Sequence, residues 1–269
     1  MSDHVELIPE LQEIQRVHDC LTQWQWSEAS GGNFSIRMDV LPEAVHNLSG
    51  ETPKPLPINV PSLGGAYLLI SAKGSRARDI AIDPEGGVGL FWILQSGSEF
   101  TCLWGNNAPT SELSAHIAIH NALSHSRPGH NAILHTHPSN LVALTHVKGF
   151  ERSVDLSDIL LRMQSEARIH LPEGIEHLPY YLPGSRELGE ASAAALSRTP
   201  LVLWHLHGAV STGETLSDAL DYLEIADKAA QIYWILLSAG VQPEGMTDAD
   251  LERSLRHFRI WERYRSSLE

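Results

Sequence analysis

Ala132-Ile-Leu-His135-Thr-His137-Pro-Ser-Asn140 is an apolar run that ends in two histidines one residue apart and stops at a proline. The run predicts a strand over 131–135, and Pro138 predicts the first position of a helix reaching Thr145. On a strand, residues i and i+2 share a face, with Cα atoms roughly 6.5–7 Å apart. Two imidazoles so placed can converge on one ion at about 2.0–2.1 Å per nitrogen. They stand at the C-terminal end of the strand, where α/β proteins gather ligands. Taken alone, the pair also reads as two half-exposed histidines in a chain that holds 15 of them.

A second run, Leu201-Val-Leu-Trp-His205-Leu-His207-Gly208, likewise reads as a strand closing in histidine. Spacing does not separate His205 from His207. His207 is preferred as third ligand, being nearer the strand end and beside a glycine that permits close approach or a positive φ. Three imidazoles leave a zinc ion one coordination position open, the pattern of catalytic sites. The helical His-Glu-x-x-His of metalloproteases is missing. Residues 138–150 hold no acidic side chain of the kind a cupin places after its histidine pair.

Outward from these strands, the pattern mixes helix and strand throughout. Apolar residues at three- and four-residue steps predict a helix from Val5 to Trp26, and Ser30-Gly31-Gly32-Asn33 breaks it before a strand at Phe34–Met38. Residues 41–62 carry five prolines and read as a long surface loop. Strands are expected at Ala66–Ile70, Val88–Ile93 and Phe100–Leu103, with a turn at Ser71-Ala72-Lys73-Gly74. Helices are expected at Thr110–Leu123, Leu156–Gln164, Ser185–Leu196, Thr215–Ala239 and Thr247–Tyr264. Thr110 or Ser111 caps the first of these, and Glu112 falls in its first turn, where a carboxylate either serves the helix dipole or does acid/base work. The sum is an α/β sandwich forming one domain over 1–269.

Composition excludes several classes. Against 19 basic side chains stand 33 acidic ones, a balance of −14, which disfavours a general nucleic-acid or anionic-membrane binder. Met1–Pro9 has no basic segment leading an apolar core, and no apolar run approaches the roughly 18–20 residues of a membrane helix. Cys20 and Cys102 are too few for a disulfide framework and fit a reduced compartment. A cytoplasmic protein is expected.

Thr110-Ser111-Glu112 with His116 downstream, then His135-Thr-His137-Pro-Ser-Asn140-Leu-Val-Ala-Leu, then His207-Gly208, resemble the class II aldolase/adducin family in order and spacing. The likeness runs from about residue 10 to 240 and includes Gly31-Gly32-Asn33 and Leu182-Pro183-Gly184. It implies a three-layer sandwich with a central, mainly antiparallel sheet flanked by helices. It further implies one zinc, or another divalent metal, per subunit on His135, His137 and His207, with Glu112 as catalytic acid/base. A second acidic residue, brought from a neighbouring subunit of a homotetramer, maps onto Glu166. The implied reaction is reversible cleavage of a phosphorylated sugar, L-rhamnulose 1-phosphate, to dihydroxyacetone phosphate and L-lactaldehyde. Fuculose-1-phosphate cleavage, a pentulose-phosphate 4-epimerase or a dehydratase is the alternative on the same scaffold. A non-enzymatic module of the adducin type predicts loss of the metal ligands, and all three are present.

Three stretches are candidates for the phosphate cradle: Ser30-Gly31-Gly32-Asn33, Ser71-Ala72-Lys73-Gly74, and Thr110-Ser111 at a helix start. Glycines, hydroxyls and helix N-termini are the groups an anion site uses. The resemblance loosens here, because the aldolases place asparagine where Ser30 stands and Thr-Gly-Ser-Gly where this chain has Ser71-Ala-Lys-Gly74. Lys73 substitutes a point charge for a hydroxyl.

Overall fold

The computed structural model describes residues 9–41, 50–150 and 152–267. In these ranges the strands are β1 (Asn33–Met38), β2 (Lys54–Pro55), β3 (Tyr67–Ser71), β4 (Val88–Ile93), β5 (Glu99–Gly105), β6 (Ala132–Thr136), β7 (Glu176–Leu178), β8 (Leu201–Trp204) and β9 (Gly208–Gly213). They form one sheet in the order β2-β5-β4-β3-β1-β6-β9-β8-β7. Its pairings are antiparallel except β7 with β8. The helices are α1 (Pro9–Gln23), α2 (Ala77–Ile80), α3 (Leu113–Ser126), α4 (Ser139–Leu144), α5 (Ser153–Leu160), α6 (Ser165–His170), α7 (Arg186–Leu196), α8 (Leu216–Ser238), α9 (Asp248–His257) and α10 (Trp261–Ser266).

Strand alternation puts helices on both faces. On β6, Ala132 and Leu134 join the larger core with Leu11 and Ile14 of α1, Leu141 of α4 and Leu223 of α8. Ile133 turns the other way, onto Ile119 and Leu123 of α3 and Leu188 and Leu196 of α7. Leu201 and Leu203 against Val202 and Trp204 repeat the division on β8. Each fully buried aliphatic side chain stabilises by about 1.5–3 kcal/mol relative to exposure, so β6 is anchored twice and cannot slip register without reversing both faces. His135 follows Ile133 onto the α3 side.

The helices at Arg186 and Leu216 start and stop close to where periodicity places them, and α1 stops close to the expected Trp26. The long α8 begins in a capping box in which Thr215 and Asp218 satisfy each other's backbone N–H groups. Four expectations need correction. The strand at 201–206 ends at Trp204, because Leu206 takes φ +58° and reverses the chain into β9, a strand the periodicity did not reveal. The terminal helix is two helices, α9 and α10, broken where Arg259 takes φ +62°. Their Leu251, Leu255 and Tyr264 pack on one another with Met246 and Trp261. Pro138 is the N-cap of α4 rather than its first residue. The proline-rich stretch contributes β2 and a 3-10 turn at Pro61–Leu63, and its residues 42–49 lie outside the described ranges, as do the first residues of the expected helix from Val5. Both cysteines are free. No helix among the described residues is long and apolar enough to cross a membrane.

Candidate metal centre and active site

Three elements bring the histidines together. His135 lies in β6, His137 just beyond its end, and His207 in the tight turn from β8 to β9, which pairs with β6. Each offers one ring nitrogen, all within 4.8 Å of one another. His205, the alternative third ligand, points elsewhere, its Nδ1 3.3 Å from His177 Nε2.

Ring orientation is set from behind. His135 Nδ1 faces the Ala209 carbonyl at 3.0 Å, and His137 Nδ1 faces Glu28 Oε1 at 2.8 Å. A carbonyl and a carboxylate only accept, so both Nδ1 atoms carry the proton and both Nε2 atoms present lone pairs. Those two Nε2 atoms stand 3.3 Å apart, a distance at which two lone pairs repel unless a Lewis acid lies between their axes. The donor set therefore fits a divalent cation, in the arrangement where ligating histidines are held by an acceptor on the other nitrogen. Burial, then the neighbouring His137 and His207, holds His135 well below the ordinary imidazole pKa. Burial first and His137 second bring His207 down to about 4. Both rings are thus neutral, as ligation requires.

Two glycines make room for these rings. A Cβ on Gly208 would stand 2.6 Å from His137 Cδ2 and 2.9 Å from His135 Cε1, and one on Gly31 2.8 Å from His137 Cε1. Of the two uses foreseen for Gly208, close approach is the one realised, since its φ is not positive.

Glu112 is buried, with Oε2 3.6 Å from His135 Nε2 and Oε1 3.9 Å from His207 Nε2. It occupies the N-cap position of α3 rather than its first turn, and its side chain caps nothing. Instead Asn33 Nδ2 donates to Oε2 at 2.7 Å. Burial pushes its carboxyl above the ordinary value, and the Asn33 hydrogen bond works against that shift. A carboxyl poised this way beside a metal site suits proton transfer at carbon.

A cleft of about 290 Å³ opens beside Glu112 and the three histidines. It gathers Ser30, Gly31, Gly32, Asn33, Lys73, Gly74, Thr110 and Ser111, eight of the nine residues expected to hold substrate. Ser71 is the exception. It is 2% exposed on β3, its hydroxyl within hydrogen-bonding distance of the Phe34 backbone, so it shapes the wall without reaching the cleft. Ser75, not foreseen, lines the cleft in its place. A second cleft of about 580 Å³ lies on the far side of His137 and His207, lined by Glu28, Val142 and His146 among others. Glu166 is exposed on α6, accepts from Ser165 at 3.1 Å, and lines neither cleft of its own chain.

The family described as Class II Aldolase and Adducin N-terminal domain matches residues 12–234. The chain belongs to the class II aldolase/adducin family. It is 34% identical over 224 residues to a rhamnulose-1-phosphate aldolase of Mannheimia succiniciproducens, covering 80% of this chain and 81% of the relative. A rhamnulose-1-phosphate aldolase of Bacteroides thetaiotaomicron is 28% identical over 249 residues, 91% of this chain and 93% of that one. Among solved structures, a sugar-phosphate aldolase from Thermotoga maritima superposes with a TM-score of 0.78 at 34% identity, covering 87% of this chain and 97% of that one. This class II aldolase is accordingly a lyase, with the mixed α/β sheet of its family.

Glu28, Ser75 and the Asn33–Glu112 contact are the site features that the sequence reading missed. Nothing in local spacing distinguishes Glu28 from the other acidic side chains. The Asn33–Glu112 contact depends on β1 and the start of α3, far apart in the chain, meeting across the sheet.

Proposed function

We propose that the protein is a zinc-dependent class II aldolase, one class II aldolase/adducin-like domain over 1–269. It cleaves L-rhamnulose 1-phosphate reversibly to dihydroxyacetone phosphate and L-lactaldehyde, in the cytoplasm, as a homotetramer. The observation that carries the reading is the convergence of three imidazoles within reach of a buried, singly hydrogen-bonded carboxylate. His135, His137 and His207 would hold the metal. A bound divalent ion supplies Lewis-acid stabilisation of the enediolate left when the C–C bond breaks.

Glu112 delivers a proton to the enediolate carbon in cleavage and removes it in synthesis. Asn33 holds that carboxylate by its side-chain N–H. The loop Ser30–Asn33, with Lys73, Gly74, Ser75, Thr110 and Ser111, receives the phosphate, Lys73 supplying the charge. Glu166, exposed on α6, is the second acidic group by family likeness and serves the site of a neighbouring subunit.

The test is release of dihydroxyacetone phosphate from L-rhamnulose 1-phosphate, with and without a chelator. Chelator-sensitive release is expected. No release by protein carrying one zinc per chain discards this substrate. Ser30 and Lys73, which depart from the phosphate-site pattern, favour the alternative in that event. It is the same scaffold acting on fuculose 1-phosphate, or as a pentulose-phosphate 4-epimerase or dehydratase.

A further inference from the structure

Behind Glu112 and Asn33, which line the cleft, Ser35, His116 and His120 continue a buried polar chain and neither hold the metal nor line the cleft. Glu112, His116 and His120 recur at four-residue steps along the start and body of α3, and Asn33 and Ser35 alternate on one face of β1. The two stripes interlock. His120 Nε2 lies 2.8 Å from Ser35 Oγ, Ser35 Oγ lies 2.7 Å from His116 Nδ1, and His116 Nε2 lies 2.5 Å from Asn33 Oδ1. Asn33 Nδ2 then donates to Glu112 at 2.7 Å.

The proton positions follow from the Glu112 end. A carboxylate accepts only, so the amide nitrogen faces Glu112 and the amide oxygen faces His116. His116 must then carry its proton on Nε2, leaving Nδ1 to accept from the Ser35 hydroxyl. With its only proton committed, Ser35 accepts from His120 Nε2–H. This leaves His120 Nδ1 a bare lone pair. That atom is buried, and no partner for it exists among the described residues. Every donor in the chain therefore points toward Glu112. Both histidines are neutral: burial brings His116 down to about 3 and takes His120 well below the ordinary value.

We infer that Ser35, His116 and His120 are positioning residues that fix the Asn33 amide with its nitrogen toward Glu112. Through that amide they keep Glu112 Oε2 an acceptor, aimed at the metal centre, and leave Oε1 to carry the proton that moves to and from carbon. In the reverse sense, the amide oxygen would meet Glu112 and hold its proton on Oε2 between the two side chains, out of reach of carbon. The inference rests on the proposed acid/base role of Glu112, but hydrogen-bond direction can be read without turnover.

Nitrogen-15 NMR of histidine-labelled wild-type protein should show His116 and His120 as neutral Nε2–H tautomers. An Nδ1–H tautomer at His116 overturns the inference, whether or not the protein proves to be an aldolase. Ser35→Ala should lower kcat about tenfold, the upper end for one neutral hydrogen bond, with KM within twofold and metal content unchanged. Ser35→Thr, which restores the hydroxyl, should recover most of that loss. Unchanged kcat in Ser35→Ala, or an equal loss in both variants, overturns it. If wild type turns nothing over while His116 shows the Nε2–H tautomer, the proposed reaction fails and the directed chain stands.

Discussion

Gly208→Ala places one methyl group between the rings that are to hold the metal. The new Cβ would lie 2.6 Å from His137 Cδ2, 2.7 Å from Thr136 O and 2.9 Å from His135 Cε1, against about 3.5–4.0 Å for comfortable carbon contacts. Something must move by roughly 0.5–1 Å. The Thr136 oxygen is backbone of β6, in register with Ala209 of β9, so the rings are what yield. His135 is pinned by the Ala209 carbonyl and by Trp204 at 4.4 Å between ring centroids, and His137 by Glu28. Overpacking of this kind costs about 1–3 kcal/mol. Metal–ligand distances tolerate only about 0.2 Å, so the rings cannot relieve the clash and keep their aim. We expect metal affinity to fall at least 10–100-fold, the loss typical when the support of a ligand is removed, or about 1.4–2.7 kcal/mol. Competition with a chromophoric chelator measures it, and urea unfolding of metal-free protein separates packing strain from ligation. Gly129→Ala is the control, since its nearest neighbour is a flexible Glu214 side-chain oxygen at 3.7 Å. A Gly208→Ala protein that binds metal within twofold of wild type would refute the account of this turn.

His135→Ala or His137→Ala should abolish stoichiometric zinc, read by elemental analysis after gel filtration; full metal in both variants removes the site. Glu112→Gln should keep fold and metal while losing roughly 100-fold or more in turnover, as an acid/base residue does; steady-state assay decides, and an unchanged kcat rules out the acid/base role. Glu28→Gln should weaken metal binding by about tenfold or more, because His137 Nδ1 loses its carboxylate acceptor. His18 is buried against Phe34 with its pKa lowered to about 4 from 6.5, chiefly by burial. The unfolded chain therefore binds the extra proton first, and stability falls by up to roughly 3 kcal/mol as pH drops from 6.5 toward 4. Urea midpoints across that window should show the slope, and His18→Gln should lessen it by one proton's share, the likewise lowered His116, His120, His135 and His207 keeping theirs.

Periodicity revealed most of the frame, and the reasons for the exceptions are physical. α1, β1, α7 and α8 were legible because their apolar residues keep to one face, so the period survives in the sequence, and β6, buried on both faces, because its Ala132–Leu134 run is aliphatic throughout. β9 was not, because Gly208-Ala-Val-Ser-Thr-Gly213 is buried on both faces and carries small and hydroxyl side chains that alternate with nothing. The break at Arg259 leaves no mark either, since Leu251, Leu255, Phe258 and Trp261 keep three- and four-residue steps across it. At the site, the His135–His137 pair was legible from local spacing, whereas spacing left His205 and His207 open and the turn after β8 decides which of them joins the cluster. Ser71 was misplaced because alternation on β3 turns its hydroxyl to Phe34, and a run of four turn-like residues gives no sign of which faces the cleft. Glu28 and the Asn33 contact are products of tertiary pairing.

That pairing ties the centre to the order of folding. Asn33 sits opposite His135 in the β1–β6 register, and Ala209 opposite Thr136 in β6–β9. Glu112, its asparagine and the histidines thus converge only once distant segments have zipped into the middle of the sheet, which is the slow, non-local part of assembly. Local hairpins such as β8–β9 can form early without it. Metal capture during refolding should therefore lag the first β signal and coincide with closure of the central strands, so that the ion reports on completed topology rather than on collapse.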